Sequence, residues 1–257
     1  MRNFRLELSY DGSRYRGWQR QGNTGVTVQG KLEDTLSRIL EQPIELNGAG
    51  RTDAGVHARQ QTASFRADTP LDCDRILALL RAHLPEDIGA VSLREMPPRF
   101  HARLNCTGKT YVYRIWNSAL PCVFERKYVW RIPEPLDVDA MRSAAAYLVG
   151  EHDFASFHTG RGKKSTVRRI DRIDIRRSGE ELRLSLSGNG FLYNMARIIT
   201  GTLVEVGRGE RGADEIPRIL ERRDRSFAGQ TAPPQGLILW QTEYGSPGGS
   251  DPDRFMK

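Results

Sequence analysis

The hydrophobic period changes several times along the chain, and the changes come twice in nearly the same order. Residues 3 to 10 put Phe4, Leu6, Leu8 and Tyr10 on one face and Asn3, Arg5, Glu7 and Ser9 on the other, the two-residue repeat of a half-buried strand. From Val28 the apolar positions become Val28, Leu32, Leu36, Ile39 and Leu40, all on one side of a helix. A strand is expected at 44 to 48, then the turn GAGRTDAG, then a strand at 58 to 66. Asp72 is placed to cap a helix carrying Ile76, Leu77, Leu80 and Leu84, which Pro85 ends, and residues 88 to 95 alternate as a strand.

The second half repeats this order more loosely. Tyr111, Tyr113 and Ile115 alternate with Val112, Arg114 and Trp116, and a helix is expected over Met141 to Val149. Ile173 and Ile175, then Leu182, Leu184 and Leu186, alternate across the turn Ser178-Gly179. Residues 191 to 206 carry Leu192, Met195, Ile199 and Val206 at helical spacing, a further helix is expected at 214 to 223, and LILWQTEY from 237 closes the half as a strand. The fold class is therefore α+β: two similar split βαβ halves forming a mainly antiparallel mixed sheet with helices on one face. The expected divisions are residues 1–103, residues 104–245 and a disordered tail at 246–257, rich in Gly, Ser, Pro and Asp.

The 257 residues are 38% hydrophobic and 28% charged, with a mean hydropathy of −0.55, a balance that excludes a disordered or membrane-embedded chain. No apolar run approaches the ~18 residues of a membrane span, and with a strand-like start a secretory leader is not expected. Three cysteines, Cys73, Cys106 and Cys122, form no paired motif; they are expected to be buried, in a reducing cytoplasm. The formal charge of +7 favours a polyanionic partner.

Fold alone does not give function. The segment from Asn47 to His57, NGAGRTDAGVH, sets three glycines around one carboxylate, Asp53. Glycine permits a sharp bend and close approach of another backbone, leaving room beside Asp53 for a flat ligand. An ordinary hairpin turn has the same composition, and neither a dinucleotide nor a P-loop spacing follows.

GRTDAGVHARQQ resembles the catalytic motif of the pseudouridine synthases of the tRNA pseudouridine synthase A type. YDGSRYRGWQRQ with TVQGKLEDTL, FHARLNCTGKTYVYRI, HDFASFH, FLYNMARIITGTLVEVG and QGLILW extend the resemblance, in the family's order, over residues 4 to 244. It implies conversion of uridine to pseudouridine in the anticodon arm of tRNA, at positions 38, 39 and 40, by a homodimer without a cofactor or metal, with the active cleft between the two halves. Asp53 would be the nucleophile, by attack on C1′, addition to C6 or assisted elimination across the ribose. All three routes need an ionised carboxylate, which an ordinary pKa of ~3.9 permits.

The same resemblance implies that Arg197 is the cation paired with Asp53; helical period supports burial, since Leu192, Met195, Ile198, Ile199 and Leu203 leave little solvated face. Tyr111 would lie against the target base, Leu237 would form an apolar wall, and Arg51 would meet phosphate or ribose. Tyr113 is expected in the core.

Arginine dominates the basic residues, and its planar fork suits phosphate and unpaired bases. Arg14, Tyr15, Arg16, Trp18 and Arg20 interleave basic and aromatic groups, and Arg161, Lys163, Lys164, Arg168 and Arg169 form a denser run. By the resemblance, Arg14, Arg16 and Trp18 are RNA contacts. His57 and His101 are expected to bond to neighbouring backbone, and HDFASFH is assigned no chemical step. The competing reading is a catalytically silent tRNA-binding or tRNA-folding protein of the same fold; a metal-assisted nuclease is weaker, because carboxylates do not cluster around the motif.

Overall fold

A computed structural model of the chain describes residues 1–22, 25–160 and 165–245. Three members of the expected basic run, Arg161, Lys163 and Lys164, and the whole of the expected tail, 246–257, lie outside the described residues. Contacts divide the chain into two units: Met1–Thr107 together with the chain from Leu239 on, and Gly108–Ile238. The sequence reading kept residues 104 to 245 together, whereas here Leu237 and Ile238 fall in the second unit and the chain from Leu239 on in the first.

In the first unit β1 (Arg2–Tyr10) leads through the loop 11–27 to α1 (Val28–Leu40), followed by β2 (Asn47–Gly48), β3 (His57–Ala67), α2 (Cys73–His83) and β4 (Ile88–Met96). β1 runs antiparallel to both β3 and β4, with Phe4 opposite Phe65 and their rings stacked at 5.1 Å. Thr27 caps α1 by accepting from the Gly30 amide, and Asp72 caps α2 by accepting from the Arg75 amide, as its spacing predicts. The two helices pack on each other and α2 lies against β4. Phe4, Leu6, Leu8, Leu32, Leu36, Ile76 and Leu80 are wholly buried, at about 1.5–3 kcal/mol each.

Two expectations need correction here. The outer face of β1 is not solvated at Asn3 and Arg5: the Asn3 amide donates to the carbonyls of Pro97 and Phe100, and the Arg5 guanidinium lies 4.5 Å over the Tyr244 ring. The strand expected at 44 to 48 shrinks to two residues. Side chains of α1 intercept its backbone, with Ser37 Oγ taking the Ile44 amide and the buried Glu33 carboxylate taking the Leu46 amide.

The second unit contains β5 (Gly108–Trp116), β6 (Trp130–Arg131), α3 (Val138–Ala146), β7 (Gly150–Asp153), β8 (Val167–Ser178), β9 (Glu181–Gly188), α4 (Met195–Gly207) and α5 (Ile216–Arg222). β9 is antiparallel to β5 and β8, β8 to β7, and the short β6 runs parallel to β5. α3 and α4 pack together, α3 against β8 and α4 against β5. The chain closes with β10 (Leu237–Glu243), which from Leu239 on lies beside β3, where Thr242 Oγ1 and Thr62 Oγ1 are 2.8 Å apart.

The fold is thus α+β, with mainly antiparallel strands and helices packed on them. α3 starts earlier than expected because Asp137 Oδ1 accepts from the amides of Asp139 and Ala140. α4 starts later than residue 191 because Asn194 is left-handed, at φ 62°. None of the three cysteines forms a disulfide, and all are only partly buried, against expectation: Cys73 opens α2, Cys122 lies in a loop, and Cys106 packs at the edge of the Phe100 and Tyr244 cluster.

Candidate active site

The turn that carries Asp53 is built into the first unit at nearly every residue. Its strand side is fixed by the Ala49 amide on the Thr62 carbonyl at 2.7 Å and by Gln61 Nε2 on the Gly50 carbonyl at 2.8 Å. The Tyr10 hydroxyl lies 2.7 Å from Thr52 Oγ1, both buried, and burial pushes the Tyr10 phenol well above its ordinary pKa. The turn closes through the Val56 amide on the Asp53 carbonyl at 3.1 Å. Asp53 itself is half-buried and Arg51 exposed, on an anchored backbone.

The loop after β1 is the second wall. The Trp18 amide donates to the Thr52 carbonyl at 3.0 Å and the Gly55 amide to the Tyr15 carbonyl at 3.4 Å. Gly17, at φ 93°, packs so closely that a Cβ there would stand 2.7 Å from the Thr52 carbonyl oxygen and 3.2 Å from the Asp53 carbonyl carbon. Only glycine meets both the left-handed backbone and the contact. YDGSRYRGWQRQ and GRTDAGVH are therefore one structural object, which their separation in sequence conceals.

His57 Nδ1 faces the Gly12 amide at 3.1 Å and His101 Nδ1 the Arg103 amide at 3.1 Å, the backbone partners expected of both. Trp18 requires a correction. It is 1% exposed, tilted against Tyr10 at a centroid distance of 6.0 Å and seated beneath Gly48, so it supports the turn and offers no ring face to a base. Arg14 and Arg16 are exposed. Arg14 is held by the mostly buried Asp87 through two nitrogens, Nε at 2.8 Å and Nη2 at 2.6 Å.

In the second unit Tyr111 stands on β5 opposite Leu186, 6% exposed, its ring meeting Phe191 edge-on at 5.0 Å. Tyr113, two residues on, is wholly buried and its hydroxyl donates to the Pro233 carbonyl at 2.7 Å, so it belongs to the core as expected. Burial raises the Tyr113 pKa and the Arg197 charge opposes this. Leu237, 4% exposed, follows the same connection.

Arg197 lies in the first turn of α4, half-buried. Its Nε donates to the Ala232 carbonyl at 2.7 Å and Nη1 to Asn194 Oδ1 at 2.9 Å, while the Ala232 amide returns a bond to the Arg197 carbonyl at 3.2 Å. The 228–233 segment that supplies Ala232 is itself fixed to α4: the Gly229 amide donates to Thr202 Oγ1 and the Gln230 amide to Glu205 Oε1. Gly201 makes this possible, since any Cβ there would overlap the Gln230 carbonyl oxygen.

HDFASFH is a brace. Phe154 and Phe157 are buried, Ser156 Oγ donates to the Ile219 carbonyl at 2.6 Å, and just beyond the segment Thr159 Oγ1 accepts from Asn194 Nδ2 at 2.7 Å. Sequence reasoning passed over Tyr10, Gln61, Asn194 and Ala232, although the first three lie within or beside motifs it singled out. Of the basic run, Arg169 is exposed and paired with Asp171 at 2.7 Å, and Arg168 donates to the Val167 carbonyl at 2.6 Å. Among the described residues no three His, Cys, Asp or Glu side chains gather where an ion would bind, and no helix is long and apolar enough to cross a membrane.

The chain matches a family model described as tRNA pseudouridine synthase over residues 8–105 and 144–245. It is 42% identical over 245 residues to tRNA pseudouridine synthase A 2 of Bacillus cereus, covering 95% of this chain and 100% of that one. It is 42% identical to the protein of the same name from Clostridium tetani, covering 95% and 99%. With tRNA pseudouridine synthase A of a Geobacter species the identity is 46% over 246 residues, covering 95% and 99%. Against the solved structure of an H/ACA RNP bound to a substrate RNA containing 2′-deoxyuridine, the chain aligns over 79% of its length and 44% of the other, with a TM-score of 0.37 and 11% identity.

Proposed function

Because the chain belongs to the tRNA pseudouridine synthase family, an isomerase family that converts uridine to pseudouridine, we propose that Asp53 is the nucleophile and that the substrate uridines are 38, 39 and 40 of the anticodon arm. The carrying observation is the Asp53 turn: its backbone is anchored from β3, β1 and the Gly17 loop, and Asp53 is half-buried. Such a site holds a charged group in a fixed direction before substrate arrives, which is the condition for efficient attack.

The reaction breaks the bond from N1 to C1′ and makes one from C5 to C1′; C5 loses a proton and N1 gains one. No atom comes from outside, so the chemistry calls for no cofactor. Arg197 serves as the cation that keeps the nucleophile ionised, Tyr111 as the ring beside the base, and Leu237 as an apolar wall. Arg14, Arg16 and Arg51 contact phosphate or ribose. The target uridine leaves its stack to reach the carboxylate. The enzyme works in the cytoplasm as a homodimer, which sedimentation at micromolar concentration tests directly.

The deciding experiment is tritium release from tRNA carrying [5-³H]uridine, using transcripts with a single uridine at 38, 39 or 40. The native chain is expected to release label from all three, and Asp53→Asn from none while still binding tRNA. Binding without release by the native chain would instead identify a silent tRNA-binding protein.

A further inference from the structure

Asparagine in the N-cap position of a helix ordinarily adopts an extended backbone and turns its side-chain oxygen back onto the second or third amide, which stabilises the helix. Asn194, at the start of α4, does neither. Its backbone is left-handed, at φ 62° and ψ 2°, and its side chain makes no capping bond to the helix. The amide is directed elsewhere: Oδ1 accepts from Arg197 Nη1 at 2.9 Å and Nδ2 donates to Thr159 Oγ1 at 2.7 Å. A forgone cap in an uncommon conformation, with both ends of the side chain engaged, marks a residue whose local preference has yielded to another demand.

That demand concerns the guanidinium. A flexible arginine has many rotamers, and one bond leaves most of them open. Two bonds to different nitrogens, Nε on Ala232 and Nη1 on Asn194, fix both the position and the plane of the group. Thr159 fixes the asparagine in turn, and the Thr159 amide approaches the Tyr193 carbonyl at 3.5 Å, tying the end of the brace to the turn before α4. All four residues belong to the second unit, so the clamp is complete within it.

We propose that Asn194 is a positioning residue, and that with Thr159 behind it and Ala232 opposite, it aims the Arg197 guanidinium for the isomerisation. This rests on Arg197 acting in the reaction, as proposed above, and adds that its direction is set by a left-handed asparagine.

The test uses the full-length chain, single-turnover tritium release, tRNA binding by filter retention, and thermal melting. Asn194→Gly keeps the left-handed backbone at no steric cost and deletes only the amide. Thr159→Val removes the hydroxyl behind it. Misplacement of a reacting group by about 1 Å costs on the order of 100-fold, so Asn194→Gly is expected to slow release by ~10- to 100-fold with tRNA affinity and melting little changed. Thr159→Val should slow it less, and the double variant no more than Asn194→Gly alone, because both act through one guanidinium. Full-rate release by Asn194→Gly, or losses that multiply in the double variant, would overturn the proposal. Arg197→Ala separates the two readings: inactive Arg197→Ala with fully active Asn194→Gly refutes the clamp alone, whereas an active, folded Arg197→Ala refutes the role of the arginine itself.

Discussion

One exacting demand in the first unit falls on Gly17, a residue with no side chain. Its left-handed φ of 93° and the 2.7 Å approach to the Thr52 carbonyl act together: an alanine would strain the backbone by about 1–2 kcal/mol and press a methyl against an atom that cannot yield. Gly17→Ala is expected to lower stability by ~2–4 kcal/mol in urea and to reduce turnover further than that loss explains, since the displaced backbone carries Asp53. Wild-type turnover in a destabilised variant would break the link between the loop and Asp53, the proposed nucleophile. At this scale much was readable beforehand. Asp53 stood out as a lone carboxylate among glycines, and Tyr113 was expected in the core. Trp18 was misread because arginines on both sides suggest a surface, whereas the fold turns them outward and the indole inward. Asn194 gave no sign, because a left-handed backbone leaves no trace in apolar periodicity.

Among the elements, β5 and β9 are joined by one mostly buried carboxylate. Glu181 accepts from Arg114 Nε and Arg183 Nε, each at 2.7 Å, and Arg114 also reaches Glu125 at 2.7 Å. Burial alone would raise the Glu181 pKa, but the bonds from Arg114 and Arg183 outweigh it and bring the group down to about 2. The folded state therefore binds fewer protons than the unfolded one between an ordinary ~4.3 and about 2. The stabilisation is fully present above pH ~4.3 and disappears as pH falls through that window. Glu181→Gln is expected to be less stable than the native chain by ~1 kcal/mol at pH 7, after allowance for solvent screening, and nearly equal to it near pH 2. A gap of the same size at both values, read from urea midpoints, would assign the effect to packing instead. The longer strands and helices were legible because each buries one periodic face. Boundaries were lost where side chains replaced backbone partners, as Ser37 and Glu33 do before β2, and the two-residue β6 is too short to show a period.

For the molecule as a whole, the net charge of +7 is a statement about affinity before it is one about specificity. If Arg14, Arg16 and Arg51 neutralise phosphates among a set of six or more, raising salt from 50 to 200 mM should weaken tRNA binding by ~10³-fold. Replacing Arg16 or Arg51 by alanine should flatten the logarithmic slope by about 1 each. A flat salt response in the native chain would remove the electrostatic reading of these residues. The return of β10 to β3 bears on how the chain is made. A ribosome delivers residues 1 to 107 before the strand that covers part of the β3 edge, which follows only after residues 108 to 238. Nascent chains must keep an unsatisfied row of amides and carbonyls from pairing with neighbours while that intervening stretch is made, so stalling before Leu239 leaves an adhesive intermediate on the polysome.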